Sequence, residues 1–220
     1  MFSDGCASRM WASEGMTGAP LGWELYQVFS AGNGGDGLHV EGSGALGVID
    51  SYQTYNNQNG LQLIGSGGAL RATIRNCFIG EDRAYGAVLD TGGGSVDIST
   101  CQFEGEPSGG LFATANNASV NLFALVADNN LGHAVELLSQ TWQVVGGNIT
   151  GSTGSGIVAA QGAGTIFNVR SWHNTGCGVY VDPAVTQAAV YALDAHDNGL
   201  GPTCTPAGGA NMTVVGLVPN

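Results

Sequence analysis

The feature that most constrains the fold is a short pattern that returns about every two dozen residues. A small residue, usually Gly, is followed by alternating side chains, as in Gly60-Leu61-Gln62-Leu63-Ile64. The second and fourth positions are apolar in every copy, whereas the third and fifth also include His, Gln, Glu, Asp, Thr and Tyr. A period of two is typical of a β-strand with one buried face. The copies begin at Gly37, Gly60, Gly86, Gly110, Ala134, Gly156 and Gly178.

A second strand pattern follows each copy at the same period, as in Val96-Asp97-Ile98 and Val120-Asn121-Leu122. A repeat of this length is too short for two helices, and the leucine-rich, ankyrin and tetratricopeptide patterns are absent. Two or three short strands per repeat, with Gly and Asn between them, indicate a stacked solenoid of parallel strands. The other second strands are predicted to begin at Leu46, Leu70, Trp142, Ile166, Val190 and Met212.

With this periodicity, residues 31–220 resemble the right-handed parallel β-helix family, of which pectate lyases and phage tailspikes are members. The resemblance implies an all-β, right-handed parallel β-helix solenoid of about seven to eight turns. It rests on the repeat and includes no catalytic motif, so it implies a fold more strongly than an activity.

Length and composition favour a single domain. The chain has 220 residues and is 43% hydrophobic, enough for one sizeable core. Many of its 38 glycines fall at the bends of the repeat, where tight turns need a positive φ or a close backbone approach. We predict an irregular N-terminal cap or attachment segment over residues 1–30, the β-helix over 31–200, and a C-terminal turn with a capping strand over 201–220.

The charge balance limits the classes of partner. The chain carries 17 acidic residues against five basic ones, all of them Arg, and its net charge is −12. Nucleic acid is not an expected partner, because binding to it depends on Lys and Arg that neutralise phosphates. The negative charge also disfavours an acidic polysaccharide unless a cation or a local Arg intervenes.

The sequence predicts neither membrane insertion nor a cofactor. No apolar run approaches the roughly 20 residues of a membrane span, and the first residues lack the pattern of a secretory signal. The calcium-like stretch Gly32–Leu38 occurs only once, and no cysteine pair has metal-binding spacing. A virion component released by lysis, or a mature domain whose signal has been removed, fits these observations.

The five cysteines leave their redox state open. Cys77 and Cys101 are predicted to occupy equivalent places in adjacent turns, with Cα atoms about 4.8 Å apart. That distance permits a disulfide, whereas stacked thiols fit a chain made in a reducing cytoplasm. The same two alternatives apply to Cys177 and Cys204, and Cys6 is left over.

Two bends of the repeat carry the compact cluster of charge. They are Gly80–Tyr85 and Glu104–Ser108, which lie on adjacent turns and are predicted to protrude side by side. Loops on one side of a solenoid often carry recognition, although a solvated surface network explains the same residues. Asn residues at other bends are predicted to stack as a structural ladder. The candidate binding residues are Arg83, Glu81, Asp82, Glu104 and Glu106.

Asp90 and Glu136 are the best candidate catalytic carboxylates, if the protein is an enzyme. Both are predicted to face outward, two turns and thus about 10 Å apart along the axis. Glycoside hydrolysis needs two carboxylates roughly 5 to 9.5 Å apart, so the spacing is marginal. The polysaccharide lyases of the resembled family use a basic residue and often Asp clusters that bind calcium, and neither pattern is found here.

The outward face of the repeated strand also predicts an interface. Its apolar side chains form a stripe across consecutive turns, of the kind that monomers rarely expose. Phage tailspike β-helices, which the chain resembles, associate as homotrimers with closed cyclic symmetry. The predicted interface residues are Ile64, Val88, Phe112, Leu138, Val158 and Ala160.

Together these features predict a structural virion appendage that resembles a tail spike or fibre, with attachment to the tail or to the head left open. We expect a homotrimer that is held to other virion proteins through residues 1–30, acts outside the cell and binds host-surface glycans. A polysaccharide lyase or hydrolase on the same scaffold is one alternative. A bacterial surface adhesive or carbohydrate-binding module is the other.

Overall fold

The computed structural model describes residues 8–11, 23–43, 46–55, 57–206 and 212–217. In these residues every regular element is a β-strand. In chain order the strands are β1 (Ser8–Trp11), β2 (Trp23–Tyr26), β3 (Phe29–Ala31), β4 (Leu38–Gly42), β5 (Leu46–Asp50), β6 (Gln53–Tyr55), β7 (Leu61–Gly65), β8 (Arg71–Arg75), β9 (Phe78–Gly80), β10 (Tyr85–Asp90), β11 (Ser95–Ser99), β12 (Gln102–Glu104), β13 (Gly109–Ala113), β14 (Ser119–Asp128), β15 (His133–Leu137), β16 (Thr141–Thr150), β17 (Ile157–Ala159), β18 (Gly162–Phe167), β19 (Arg170–Trp172), β20 (Cys177–Val181), β21 (Val185–Tyr191), β22 (Gly201–Cys204) and β23 (Met212–Val215).

The repeated strand forms sheet A, with one strand from each coil. Its order is β1-β4-β7-β10-β13-β15-β17-β20-β22, and all neighbours are parallel. Val88 pairs with Gln62 on one side and Phe112 on the other, and Phe112 pairs with Glu136. The predicted register of this sheet is therefore confirmed, as is the parallel solenoid of about eight turns.

The second strand of each coil forms sheet B, in the order β2-β5-β8-β11-β14-β16-β18-β21-β23. The strands themselves are as predicted, but the predicted register is partly wrong. Val96 pairs with Ala72 instead of Leu70, a shift of two residues that keeps the same face inward. At β5 the slip is one residue, so Ile49 points inward and is buried while Val48 is not.

The third sheet, sheet C, contains β3, β6, β9, β12, the C-terminal halves of β14 and β16, and β19. Sheets B and C join because β14 and β16 run through the bend between them. Each coil therefore passes through sheets A, B and C in turn and returns to A.

Two bends of the coil have a fixed geometry. At the bend from sheet B to sheet C, one residue of each coil has a positive φ, and the N–H of Asn76 there donates to the carbonyl of Ser99 in the next coil at 3.1 Å. Five positions later, at the bend from sheet C to sheet A, a second residue has a positive φ, as Glu81 follows Asn76. The residues at the first bend are Gln27, Ser51, Asn76, Thr100, Ala124, Gly146, Asn168, Ala192 and Gly216.

The third bend, from sheet A to sheet B, varies in length. Two residues separate β17 from β18, whereas five separate β13 from β14. The changes in repeat length are therefore absorbed mainly at this bend.

The core fills the interior of the solenoid with stacked apolar side chains from all three sheets. Phe103 and Tyr52 are fully buried, and the Tyr52 hydroxyl donates to the Gly60 carbonyl at 3.0 Å. Gly86, the second residue of β10, lies directly against this core: a Cβ added there would lie 2.7 Å from the Phe103 ring. The small residue that marks each copy of the repeat thus permits close approach, as the sequence predicts for many of the glycines.

The two cysteine pairs differ. Cys77 and Cys101 are buried free thiols in adjacent coils, and the Cys77 N–H contacts the Cys101 Sγ at 3.4 Å. Cys177 and Cys204 form a disulfide with a Cα–Cα distance of 6.0 Å. Cys6 lies outside the described residues.

The chain ends continue the solenoid further than predicted. β1, β2 and β3 pair with β4, β5 and β6, so residues 8–11 and 23–31 follow the repeat instead of forming an irregular segment. At the other end, β22 extends sheet A, and the predicted last strand is present as β23. The roles of residues 1–30 in capping or attachment stay a prediction.

Candidate functional site

The predicted interface stripe lies on the outer face of sheet A, as its register requires. Val88, Phe112 and Val158 follow one column of paired residues, and Ile64, Leu138 and Ala160 belong to the neighbouring column. These side chains are half-buried, and Val158 is buried, because neighbours in a parallel register cover one another. Tyr85 extends the stripe by stacking on Phe112, with ring centroids 5.4 Å apart.

The two candidate catalytic carboxylates do not form a compact pair. The register puts Asp90 and Glu136 two coils and two strand positions apart, which corresponds to about 12 Å between their Cα atoms. Asp90 accepts a hydrogen bond from Asn116 Nδ2 at 3.2 Å, while Glu136 lies between Phe112 and Val158. Burial and the nearby Glu136 charge raise the pKa of Tyr85. Catalysis by either carboxylate stays a prediction.

The prediction that both charged bends protrude is wrong for Asp82 and Glu106. Arg83 and Glu81 are exposed and Glu104 is half-buried, but Asp82 is 2% exposed and Glu106 is fully buried. Each buried residue directly follows the positive-φ residue of its bend, which turns its side chain inward. The five residues therefore do not form one surface cluster, and a binding role for them stays a prediction.

Asp82 and Glu106 occupy a ladder that is mainly Asn in the other coils. The Asn57 N–H donates to Asp82 Oδ1 at 2.8 Å, the Asp82 N–H donates to Glu106 Oε2 at 2.9 Å, and the Glu106 N–H donates to Asn130 Oδ1 at 3.1 Å. The predicted Asn ladder is therefore present, with two carboxyl groups inserted in it. Its members are Asn33, Asn57, Asp82, Glu106, Asn130, Ser152, Asn174 and Asn198.

The electrostatics of these carboxyls differ from those of surface acids. Burial, together with repulsion from Asp82, raises the pKa of Glu106 to about 9. Glu106 Oε1 has no hydrogen-bond partner among the described residues. Burial also raises the pKa of Asp82, against the hydrogen bonds that it accepts from Asn57 and Thr54. At neutral pH the ladder therefore holds a protonated Glu106.

The most exposed apolar side chains that follow one another from coil to coil lie on sheet B, where the sequence predicts no site. One column of paired residues at its edge is apolar over five consecutive coils. Phe167 is 47% exposed and Val215 is 52% exposed, whereas no residue of the sheet A stripe reaches such exposure. We call this set the apolar column: Phe123, Val145, Phe167, Tyr191 and Val215.

Beside the apolar column, the outer face of sheet B carries short polar side chains and no charge. Over β14, β16, β18 and β21 the outward positions hold Ser, Thr, Asn, Gln and Ala. A depression of about 370 Å³ opens around Gly164, between Gln143 and Ala189. One coil toward the N-terminus, charge returns at Asp97, which accepts a hydrogen bond from Asn121 Nδ2 at 2.7 Å. We call this surface the polar face: Ser119, Asn121, Thr141, Gln143, Ala163, Thr165, Gln187 and Ala189.

A second polar depression of about 310 Å³ lies at the bend from sheet B to sheet C, on the other side of the apolar column from the polar face. We call it the corner cleft. Asn148, Arg170 and Asp194 pair in adjacent coils on its sheet C side. Arg170 Nε donates to Asp194 Oδ2 at 3.0 Å, and His196 Nδ1 lies 3.1 Å from Asp194 Oδ1. Partial burial alone would raise the pKa of Asp194, but its bonds with His196 and Arg170 hold that pKa below its usual value.

The other cluster of titratable side chains surrounds His39 and lines none of the depressions described above. On β4, His39 Nδ1 lies 3.1 Å from Asp36 Oδ2, in the preceding bend, and its Nε2 lies 3.6 Å from Glu41 Oε2. In the described part of the chain, no group of three or more His, Cys, Asp or Glu side chains is arranged to hold a metal ion. No helix long and apolar enough to cross a membrane is present among those residues.

Comparison with known proteins agrees with this architecture. A family model described as "right handed beta helix region" matches residues 36–192. Neither the curated proteins nor the solved structures contained a match to the chain.

Proposed function

Because the chain belongs to the right-handed β-helix family, we propose that it is a non-catalytic, glycan-binding module of a structural appendage. The ligand lies on the outer face of sheet B, along the polar face and against the apolar column. The observation that carries this proposal is the side-by-side arrangement of uncharged hydrogen-bonding groups and exposed rings on one rigid sheet.

The chemistry of the two surfaces matches a neutral polysaccharide. Hydroxyl and amide side chains both donate and accept hydrogen bonds, which suits sugar hydroxyls. Phe167 and Tyr191 offer ring faces and edges to the apolar faces of a sugar. Because paired residues recur about every 4.8 Å along the axis, an extended chain would meet equivalent groups in successive coils. The lack of charge favours a neutral ligand on a protein whose net charge is −12.

Replacing Phe167 or Tyr191 with Ala is expected to weaken glycan binding about tenfold each, since losing one ring contact costs on the order of 1 kcal/mol. Binding would be measured by affinity electrophoresis and calorimetry on mannan, dextran and a β-glucan, with polygalacturonate as the acidic counterpart. Tyr26→Ala is the matched control, because Tyr26 belongs to the same column but is separated from the polar face by Asp50, Arg75 and Ser99.

The controls separate binding from catalysis. Asp90 and Glu136 lie on sheet A, so Asp90→Asn and Glu136→Gln are expected to leave glycan binding unchanged. The parent protein is expected to release no shorter sugars from the polysaccharides that it binds. Failure of the parent protein to bind any polysaccharide of the panel would contradict the proposed function. Preferential binding of polygalacturonate would contradict the neutral ligand.

We also propose that the sheet A stripe is the interface of a homotrimer. Two observations support it: Tyr85 stacks on Phe112 within the stripe, and an apolar cleft of about 510 Å³ lined by Val158 and Tyr180 continues the apolar surface toward the C-terminal end. Sheets B and C then stay outside, where a ligand can reach them.

Phe112→Asp is expected to convert a trimer to a monomer, because it removes the ring that stacks on Tyr85 and places three further carboxylates beside the three Glu136 side chains of this face. Light scattering at several concentrations measures the mass of the particle. Phe123→Asp is the control, since it adds the same charge at an exposed ring on sheet B. A parent protein with the mass of one chain, or equal dissociation by both variants, would contradict this interface.

The finer proposal is that the module belongs to a virion, as part of a tail spike or fibre attached through residues 1–30, and acts outside the cell. The Cys177–Cys204 disulfide supports an oxidising environment for the folded protein. Mass spectrometry of purified virions tests the location directly.

A further inference from the structure

The corner cleft has the features of a built polar site rather than of a gap between coils. Its three polar side chains are held in place by bonds that leave other atoms available. Arg170 uses Nε toward Asp194, so its terminal amino groups are not used in that pair. Asn148 accepts from Trp172 Nε1 through Oδ1 at 2.9 Å, which leaves its amide hydrogens as donors. Asp194 is held from two sides, by Arg170 and by His196.

These groups together offer donors and acceptors without net charge. Arg170 and Asp194 compensate one another, while Asn148 and Asn168 are neutral and line the same cleft. A guanidinium beside a carboxylate presents donors and an acceptor at neighbouring points, which matches two adjacent hydroxyl groups on a sugar ring. An anionic group would face the Asp194 carboxylate, so a neutral sugar is favoured over an acidic one.

The cleft is also placed next to the proposed ligand path. Val145, Phe167 and Tyr191 of the apolar column directly precede Gly146, Asn168 and Ala192, which line the cleft. Since these three lining residues have positive φ, the chain turns sharply here and the column forms the ridge between the two depressions. A sugar that crosses this ridge from the polar face reaches Arg170 and Asp194.

We infer that the corner cleft binds a neutral side-branch sugar of the glycan whose main chain lies on the polar face. This inference rests on the proposed function and adds that the protein selects a branched neutral glycan. Arg170 and Asp194 bind the branch hydroxyls, and Asn148 is held in position by Trp172.

The experiment compares a linear mannan with a galactose-branched mannan of similar length, using the full chain. The parent protein is expected to bind the branched polymer at least about tenfold more tightly, since a single hydrogen bond to a charged group already contributes a factor of that order. Arg170→Gln and Asp194→Asn are expected to remove this preference while leaving affinity for the linear polymer unchanged. Arg75→Gln is the matched control, because Arg75 makes the same kind of pair with Asp50, at 2.8 Å, away from the cleft.

Trp172 supplies a second readout. Its indole N–H is bonded to Asn148, so filling the cleft with the branched polymer is expected to change its fluorescence, and Trp172→Phe should remove that signal. If both polymers bind equally and Phe167→Ala weakens both, the inference is overturned and the proposed function stands. If neither polymer nor any other member of the panel binds, both are overturned.

Discussion

Replacing Glu106 with Gln is expected to stabilise the protein at alkaline pH and to leave its stability at pH 5 nearly unchanged. The side chain is fully buried, and its pKa is about 9 in the folded chain against an ordinary value of 4.5. The folded state therefore holds the proton more tightly than the unfolded state. This contribution to stability is fully present below pH 4.5 and is lost as the pH rises through 9.

The Glu106→Gln variant carries no titratable group at this position, yet it keeps an oxygen that can accept from the Asp82 N–H. At pH 9 we expect it to exceed the parent protein in free energy of unfolding by several kcal/mol, on the order of 6, because each unit of the rise in the pKa of Glu106 corresponds to about 1.4 kcal/mol. Urea unfolding at pH 5, 7 and 9 measures the difference. Glu104→Gln, on a half-buried outward side chain of the same bend, should follow the parent curve. A constant difference between Glu106→Gln and the parent protein at all three pH values would contradict the buried, protonated state.

Gly94→Ala is expected to destabilise the solenoid by about 3 kcal/mol or more, with a fall in Tm on the order of 6 to 12 °C. Gly94 lies in the bend between β10 and β11, directly against the preceding coil. A Cβ there would lie 1.7 Å from the Leu70 carbonyl oxygen, which is backbone and cannot rotate away. Relief requires two stacked coils to separate, and hydrogen bonds on both sides of the bend oppose this movement.

Gly34→Ala is the control for Gly94→Ala. An added Cβ meets nothing within 4 Å at Gly34, and its φ is not in the left-handed region. Its effect is expected to stay within about 0.5 kcal/mol. Thermal unfolding followed by circular dichroism compares the two variants. Equal Tm values would show that the bend at Gly94 is not packed as described.

Sheet A can be predicted residue by residue because two signals coincide there. The small residue marks the start of each strand, and the alternation that follows fixes which side chains are inward. Sheet B lacks such a marker, so only the alternation remains. A pattern of period two looks the same after a shift of two residues, which explains why the sequence matches Val96 to Leu70 instead of Ala72.

The candidate sites are harder to predict, because the charge or ring of a side chain does not show whether it points to the surface or into the core. Asp82 and Glu106 belong to acidic bends that the sequence assigns to the surface, but each follows a positive-φ residue that turns it inward. Their distance along the sequence indicates the ladder, since Asp82 lies 25 residues after Asn57 and Glu106 lies 24 residues before Asn130. The apolar column escapes prediction because its members lie at the edge of sheet B, directly before the bend to sheet C, and only the strand pairing shows that they belong together.

The variable bend between sheets A and B has a consequence for how such a protein can change. The other two bends keep nearly the same spacing in every coil, with positive-φ residues and the buried ladder at equivalent positions, so an added residue there would break the register of the stack. Between sheets A and B, lengths from two to five residues already coexist in one molecule. Evolution, or a designer who grafts a loop, can therefore insert new sequence along this edge, provided that residues packed against a neighbouring coil, such as Gly94, are kept.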